Sequence, residues 1–153
     1  MQNYISHHPL VLVPFLPFFF ATFWCAIVFL ISRVSGWALL ARRFHLQFAF
    51  TGPTWRWQSA RMRWLANYNN CLTVGSDPSG LCLSTFFLFR AGHAPLLIPW
   101  PEISIYRRRK VLFAAYVELR LGREEQVPFT IYGKLADRVR AAAGASWPME
   151  PIC

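Results

Sequence analysis

The sequence predicts an N-terminal transmembrane α-helix followed by a small α+β domain, a strand-rich, partly open barrel with a C-terminal helix. Three observations predict it. Residues 1–32 contain no Asp, Glu, Lys or Arg, so all 16 basic and all 7 acidic residues of this 153-residue chain lie in 33–153. From about residue 55 the apolar residues alternate with a period near two, as on half-buried strands. Near the end the period changes, and an Ala-rich stretch over 134–143 reads as a helix. Hydrophobic residues at 55% beside charged residues at 15% are unusual for a soluble domain. The excess belongs to the first segment, and the whole net charge of +9 belongs to the second. A large multidomain enzyme, a disordered tail and a disulfide-dense miniprotein are poor fits to these figures.

The first element covers residues 9–32, behind a short tail at 1–8 that holds His7 and His8. A spanning helix needs about 20 residues, at ~1.5 Å each, to cross a hydrocarbon layer of ~30 Å. A cleaved signal peptide is the competing reading. It is disfavoured because no Lys or Arg precedes the apolar run and because the run exceeds the ~7–15 residues of a signal core. Pro14 and Pro17 remove helical donors, so the regular helix is expected to begin near Phe18. Arg33, Arg42 and Arg43 follow the span closely, which predicts a single-pass protein of the cell (inner) membrane with its C-terminal domain in the cytoplasm. These three cations and Trp37 form the candidate membrane interface; packing of the juxtamembrane helix is an equal explanation for Trp37. Trp24 lies too deep for an interfacial belt.

Residues 33–54 form a juxtamembrane helix and linker, with the helix over Ser35–Phe44, Ser35 as its candidate cap, and a break at Thr51-Gly52-Pro53. The domain follows at 55–143. Two alternating runs, Asn70–Val74 and Leu81–Ser84, flank a turn over Gly75–Gly80 and predict a hairpin. Its expected register puts Leu72 opposite Leu83 and Val74 opposite Leu81, with Cys71 and Cys82 diagonal. Further strands are expected at Phe86–Arg90, Pro95–Trp100, Glu102–Arg107, Val111–Leu121 and Gln126–Ile131. Pro99 and Pro101 mark an edge or corner. Leu135 and Val139, four apart on the final helix, are placed to cover an open sheet end, and Gly144 to stop the helix. Residues 144–153 are expected to be a flexible tail.

Short strands closed by one C-terminal helix, together with Leu97-Ile98-Pro99-Trp100-Pro101-Glu102-Ile103, resemble the pleckstrin-homology-like (PH-like) fold, including GRAM-type and bacterial PH domains. A wider set of phrases resembles a group of bacterial proteins with one N-terminal span: Ser35-Gly36-Trp37, Gly80–Ser84, Phe89–Pro95 and Ile98-Pro99-Trp100. That resemblance implies the architecture and carries no catalytic residue. The first hairpin lacks the basic pattern that phosphoinositide-binding relatives use.

Chemistry is sparse. There is no G-x-S-x-G, H-E-x-x-H or Walker loop, and the acids are scattered over turns, strands and helix. Cys25, Cys71, Cys82 and Cys153 show no metal-like spacing. No catalytic residue, metal or cofactor is therefore assigned. Arg90 and His93 form a candidate anion site, since both can donate charge-assisted hydrogen bonds; turn hydrogen bonds and an ion pair are the plainer account. Arg107, Arg108, Arg109 and Lys110 are expected in a hairpin turn. There they either contact anionic lipid, each adding ~1 kcal/mol near the surface, or solvate the turn. Trp55-Arg56-Trp57 and Arg61–Trp64 interleave bases with aromatics, which packing explains more simply than nucleic-acid binding. The leading expectation is a non-enzymatic, membrane-anchored module that contacts the lipid bilayer and binds a protein partner or orients on the membrane surface. Headgroup binding is the alternative, and an unrecognised enzyme or nucleic-acid binder is more remote.

Overall fold

The computed structural model describes residues 9–150. The tail at 1–8, with His7 and His8, and Cys153 lie outside the described residues. Helix α1 runs over Pro9–Ser35, and α2 over Trp37–Phe44. Seven strands follow: β1 Thr54–Met62, β2 Ala66–Asp77, β3 Gly80–Thr85, β4 Leu96–Pro99, β5 Ile103–Val111, β6 Ala114–Leu121 and β7 Val127–Tyr132. Helix α3, Gly133–Ala143, completes the domain.

Helix α1 is continuous through Pro14 and Pro17 rather than starting at Phe18. Its 27 residues make it about 40 Å long. Its apolar section is long enough to cross a membrane, and most of it is exposed. Gly36 then reverses the chain in the left-handed region at φ 89°. A Cβ there would meet Val127 at 3.1 Å as well, so the turn into α2 requires glycine.

The strands form one curled antiparallel half-barrel in the order β4-β3-β2-β1-β7-β6-β5. Alternation along each strand delivers one apolar face to the interior, where Leu72, Val74, Leu83, Ile98, Leu119, Phe129 and Ile131 are fully buried. Helix α3 closes the interior with Leu135, Ala136, Val139 and Ala143, as the spacing predicts. The Ser76 hydroxyl donates to the Val139 carbonyl at 2.9 Å and fixes that lid to β2. Gly144 ends the helix at φ 58°.

Four local expectations are corrected. Strands β2 and β3 extend into the glycines, leaving Pro78-Ser79 as the turn, with Asp77 Oδ1 accepting from the Ser79 and Gly80 amides at 2.8 and 3.1 Å. The register therefore slips by two, putting Leu72 opposite Thr85 and Val74 opposite Leu83. A slip of two preserves the buried face, which is why the alternation was informative and the register was not. Cys82 faces Gly75 rather than lying diagonal to Cys71. Phe87–Phe89 is a short 3-10 turn, not a strand; Phe86-Phe87-Leu88-Phe89 is apolar throughout and has no alternating polar face to present. Third, Val111 ends β5, and the hairpin turn is Leu112-Phe113, so Val111–Leu121 is not one strand. Last, the tail is not free from 144: Trp147 packs on Trp100 at 5.5 Å, and Glu150 pairs with Arg108 at 2.7 Å.

Phe129→Ala should cost about 3–5 kcal/mol by emptying the centre of this core, whereas Phe113→Ser, at a fully exposed tip, should change stability by less than ~0.5 kcal/mol. Chemical unfolding of the two variants in detergent measures both.

Candidate functional site at the joint of apolar helix and domain

Helix α1 carries a stripe that faces the domain. Trp24, Val28, Ser32 and Ser35 recur at helical spacing, and the last three are buried while Ile27, Phe29, Ile31, Arg33 and Val34 between them are exposed. Over that stripe the helix lies against the loop that follows β3. The Trp24 indole donates to the Leu88 carbonyl at 3.0 Å, and its ring packs on Phe89 at 5.6 Å. The Ser32 hydroxyl donates to the Gly92 carbonyl. Gly92 has φ 74°, and a Cβ there would lie 2.8 Å from Phe29, so only glycine lets the helix come this close.

Below these contacts is a polar seam. His93 is 1% exposed, with Nε2 2.8 Å from the Tyr68 hydroxyl and Nδ1 3.2 Å from the Ala91 carbonyl. The Tyr68 hydroxyl lies 3.1 Å from Ser35 Oγ, which also receives the Trp37 amide at 3.3 Å. Trp37 packs on both Tyr68 and His93, and its indole donates to the Ala94 carbonyl at 2.8 Å. Burial lowers the His93 pKa, opposed by the carbonyl bond from its ring, so the imidazole is held neutral. The neutral tautomer with a proton on Nδ1 donates to Ala91 and leaves Nε2 to accept from Tyr68. Burial pushes the Tyr68 hydroxyl up to about 12, which keeps that donor protonated. Serine, tyrosine and histidine here resemble a nucleophile and its base, but Tyr68 stands between the other two and all three are buried. In this arrangement they satisfy one another and fasten α1 to β2.

The sequence-derived residues are distributed around this joint. His93 turns inward to Tyr68, while Arg90 stays exposed, so the two do not converge on one anion. Trp37 is 0% exposed and belongs to the core, which resolves its two readings in favour of packing. Arg33 is exposed and lies over the Phe29 ring at 5.0 Å. Arg42 is exposed, and Arg43 ties α2 to the β6–β7 loop through Glu124 and Glu125 at 3.4 and 3.2 Å.

Arg107, Arg108, Arg109 and Lys110 are on the edge strand β5, not in a turn, because the chain reverses two residues later at Leu112-Phe113. Their side chains therefore alternate between faces. Arg107 stands opposite Glu118, whereas Arg108 stands opposite Val117 and pairs with Glu150. Antiparallel register also carries this run away from the β1–β2 turn, where Arg63 donates to the Val34 carbonyl at the end of α1. Sequence reasoning missed Trp24, Ser32 and Tyr68. The stripe at 24, 28, 32 and 35 was the signal that would have found the first two.

A neutral buried histidine makes stability depend on pH. The unfolded chain binds a proton near the ordinary value of about 6.5, and the folded chain resists it, so stability is full above that value and falls as pH drops below it. Unfolding midpoints between pH 7.5 and 5 should show this decline, and His93→Gln should flatten it. Gly92→Ala should cost roughly 1–2 kcal/mol from backbone strain alone and should loosen α1 from the loop, seen as faster amide exchange over 88–94.

Comparison of the chain with protein-family models, with curated proteins and with solved structures finds no match.

Proposed function

We propose that the protein is a non-enzymatic, membrane-anchored PH-like module whose strand-rich domain is seated in the surface of the bilayer its own helix crosses. The observation that carries this reading is the contact of Trp24 with Leu88 and Phe89. Trp24 precedes Arg33 by nine residues, about 13 Å of helix, so it belongs inside the apolar layer if Arg33 marks the boundary. A loop held at Trp24 is then at membrane depth as well. Its composition agrees: Phe87 and Leu88 are 66% and 51% exposed, which is costly in water and favourable in lipid. The β1–β2 turn adds Trp64 and Leu65, both exposed, and Leu65 lines a groove with Leu30, Ile31 and Val34 of α1. The basic residues after the span favour the cytoplasmic side for the domain.

Protein interaction is the companion role. Among the described residues no strand pairs with the outer edge of β5, and its exposed cations suit strand addition by an acidic segment.

Spin labels placed one at a time at positions 87, 88 and 113, with the native cysteines replaced by alanine, test the seating in nanodiscs. Labels at 87 and 88 should be relaxed mainly by oxygen, and a label at 113 mainly by a water-soluble nickel complex. Water-dominated relaxation at 87 and 88 sinks the proposal.

A further inference from the structure

Beside the joint, on the far side of the same loop, β1 breaks its pairing. Trp55 stands opposite Val74 and Gln58 opposite Leu72, so Arg56 and Trp57 share the single partner Thr73. This bulge opens a cleft of about 420 Å³ between β1, β2 and the end of β3. Trp57 is held there at φ 58°, a conformation that costs a bulky residue roughly 1–2 kcal/mol, and it rests on Phe86 at 5.1 Å. Strain of this kind at a concave polar surface is the pattern of a binding site rather than of a packed sheet.

The lining has one electrical sign. Arg56 and Arg90 border the cleft, no Asp or Glu lines it, and among the described residues neither arginine has an acidic partner within 4.0 Å. Two free guanidiniums bordering one cleft match the oxygens of a phosphate ester. Phe87 forms the cleft rim and adjoins Leu88 and Phe89, which touch the span. An anion in the cleft would therefore have apolar side chains beside it, suited to acyl chains.

We propose that this cleft binds a phosphate ester through Arg56 and Arg90, and that its source is an anionic lipid headgroup. The lipid source rests on the membrane seating argued above; the phosphate chemistry does not. The site differs from the basic run on β5, which is split between two faces.

Native mass spectrometry of the full chain in detergent tests it, with phosphatidylglycerol, phosphatidylcholine and glycerol 3-phosphate as separate probes. Phosphatidylglycerol should be retained over phosphatidylcholine. Arg56→Gln with Arg90→Gln should weaken its retention at least about tenfold, whereas Arg107→Gln with Arg109→Gln should leave it unchanged. Displacement by glycerol 3-phosphate, dependent on Arg56 and Arg90, identifies the phosphate itself as what is read; arginine-dependent lipid retention without displacement identifies the membrane lipid. Retention of every probe that ignores Arg56 and Arg90 overturns the site. Alkaline carbonate extraction of membranes is run in parallel: release of the chain would defeat the anchored reading alone, and glycerol 3-phosphate would still test the cleft.

Discussion

A hydroxyl or an imidazole removed from water must find its partners within the protein, and the seam of Ser35, Tyr68 and His93 is where this chain meets that demand. The seam joins the last turn of the apolar helix to β2 and to the loop after β3. The geometry around it follows from the same requirement. Gly36 must turn the chain at once so that Trp37 covers the seam, and Gly92 must lack a side chain so that Ser32 reaches its carbonyl. Met62 and Val127, fully buried near this end, continue the barrel interior from there. The apolar helix is thus part of the domain's packing rather than a tether attached to it.

That arrangement sorts the surface. One end of the half-barrel carries the exposed apolar residues of the β1–β2 turn and the 3-10 turn, beside α1. The opposite end is closed by α3 and carries the Leu112-Phe113 tip. Charge follows a separate logic: β5 is an unpaired edge, and cations along such an edge discourage pairing with a second copy. The same strand's alternation divides those cations between two faces. A run that reads as a concentrated patch in one dimension is therefore less concentrated in the fold.

The sequence made the large elements legible because they depend on periodicity. The uncharged span, the alternation around Leu72 and Leu83, and Leu135 with Val139 on the closing helix are one-dimensional signals of burial. Turn positions were less legible where glycines are numerous. Gly75 and Gly80 look like turn residues yet lie within strands, so the hairpin register was displaced by two. Leu112-Phe113 lacks the usual turn chemistry, and Leu112 takes φ 50° without a glycine, so nothing local announced the β5–β6 reversal. The joint was half legible. His93 and Arg90 drew attention as a pair, but the partners of His93 lie on β2 and α1, twenty-five and more residues away in sequence. The cleft depends on a bulge, and a bulge shifts the alternation of Trp55-Arg56-Trp57 in a way that spacing alone does not reveal.

The two halves of the candidate surface share one short piece of chain. Thr85 lines the cleft, Phe86 supports Trp57, Leu88 and Phe89 meet Trp24, and His93 closes the seam. Each contact restricts the same backbone, so the entropy of ordering that segment is shared among them. Docking of α1 thus preorders the rim of the cleft, and an occupant of the cleft would in turn favour the docked helix, because such coupling between two binding equilibria is reciprocal. The 3-10 turn explains how this is done without a long-range pathway. A strand over Phe86–Arg90 would have turned alternate side chains to opposite faces of the sheet. The tighter turn instead lets Phe87 border the cleft while Phe89, two residues on, packs against the helix.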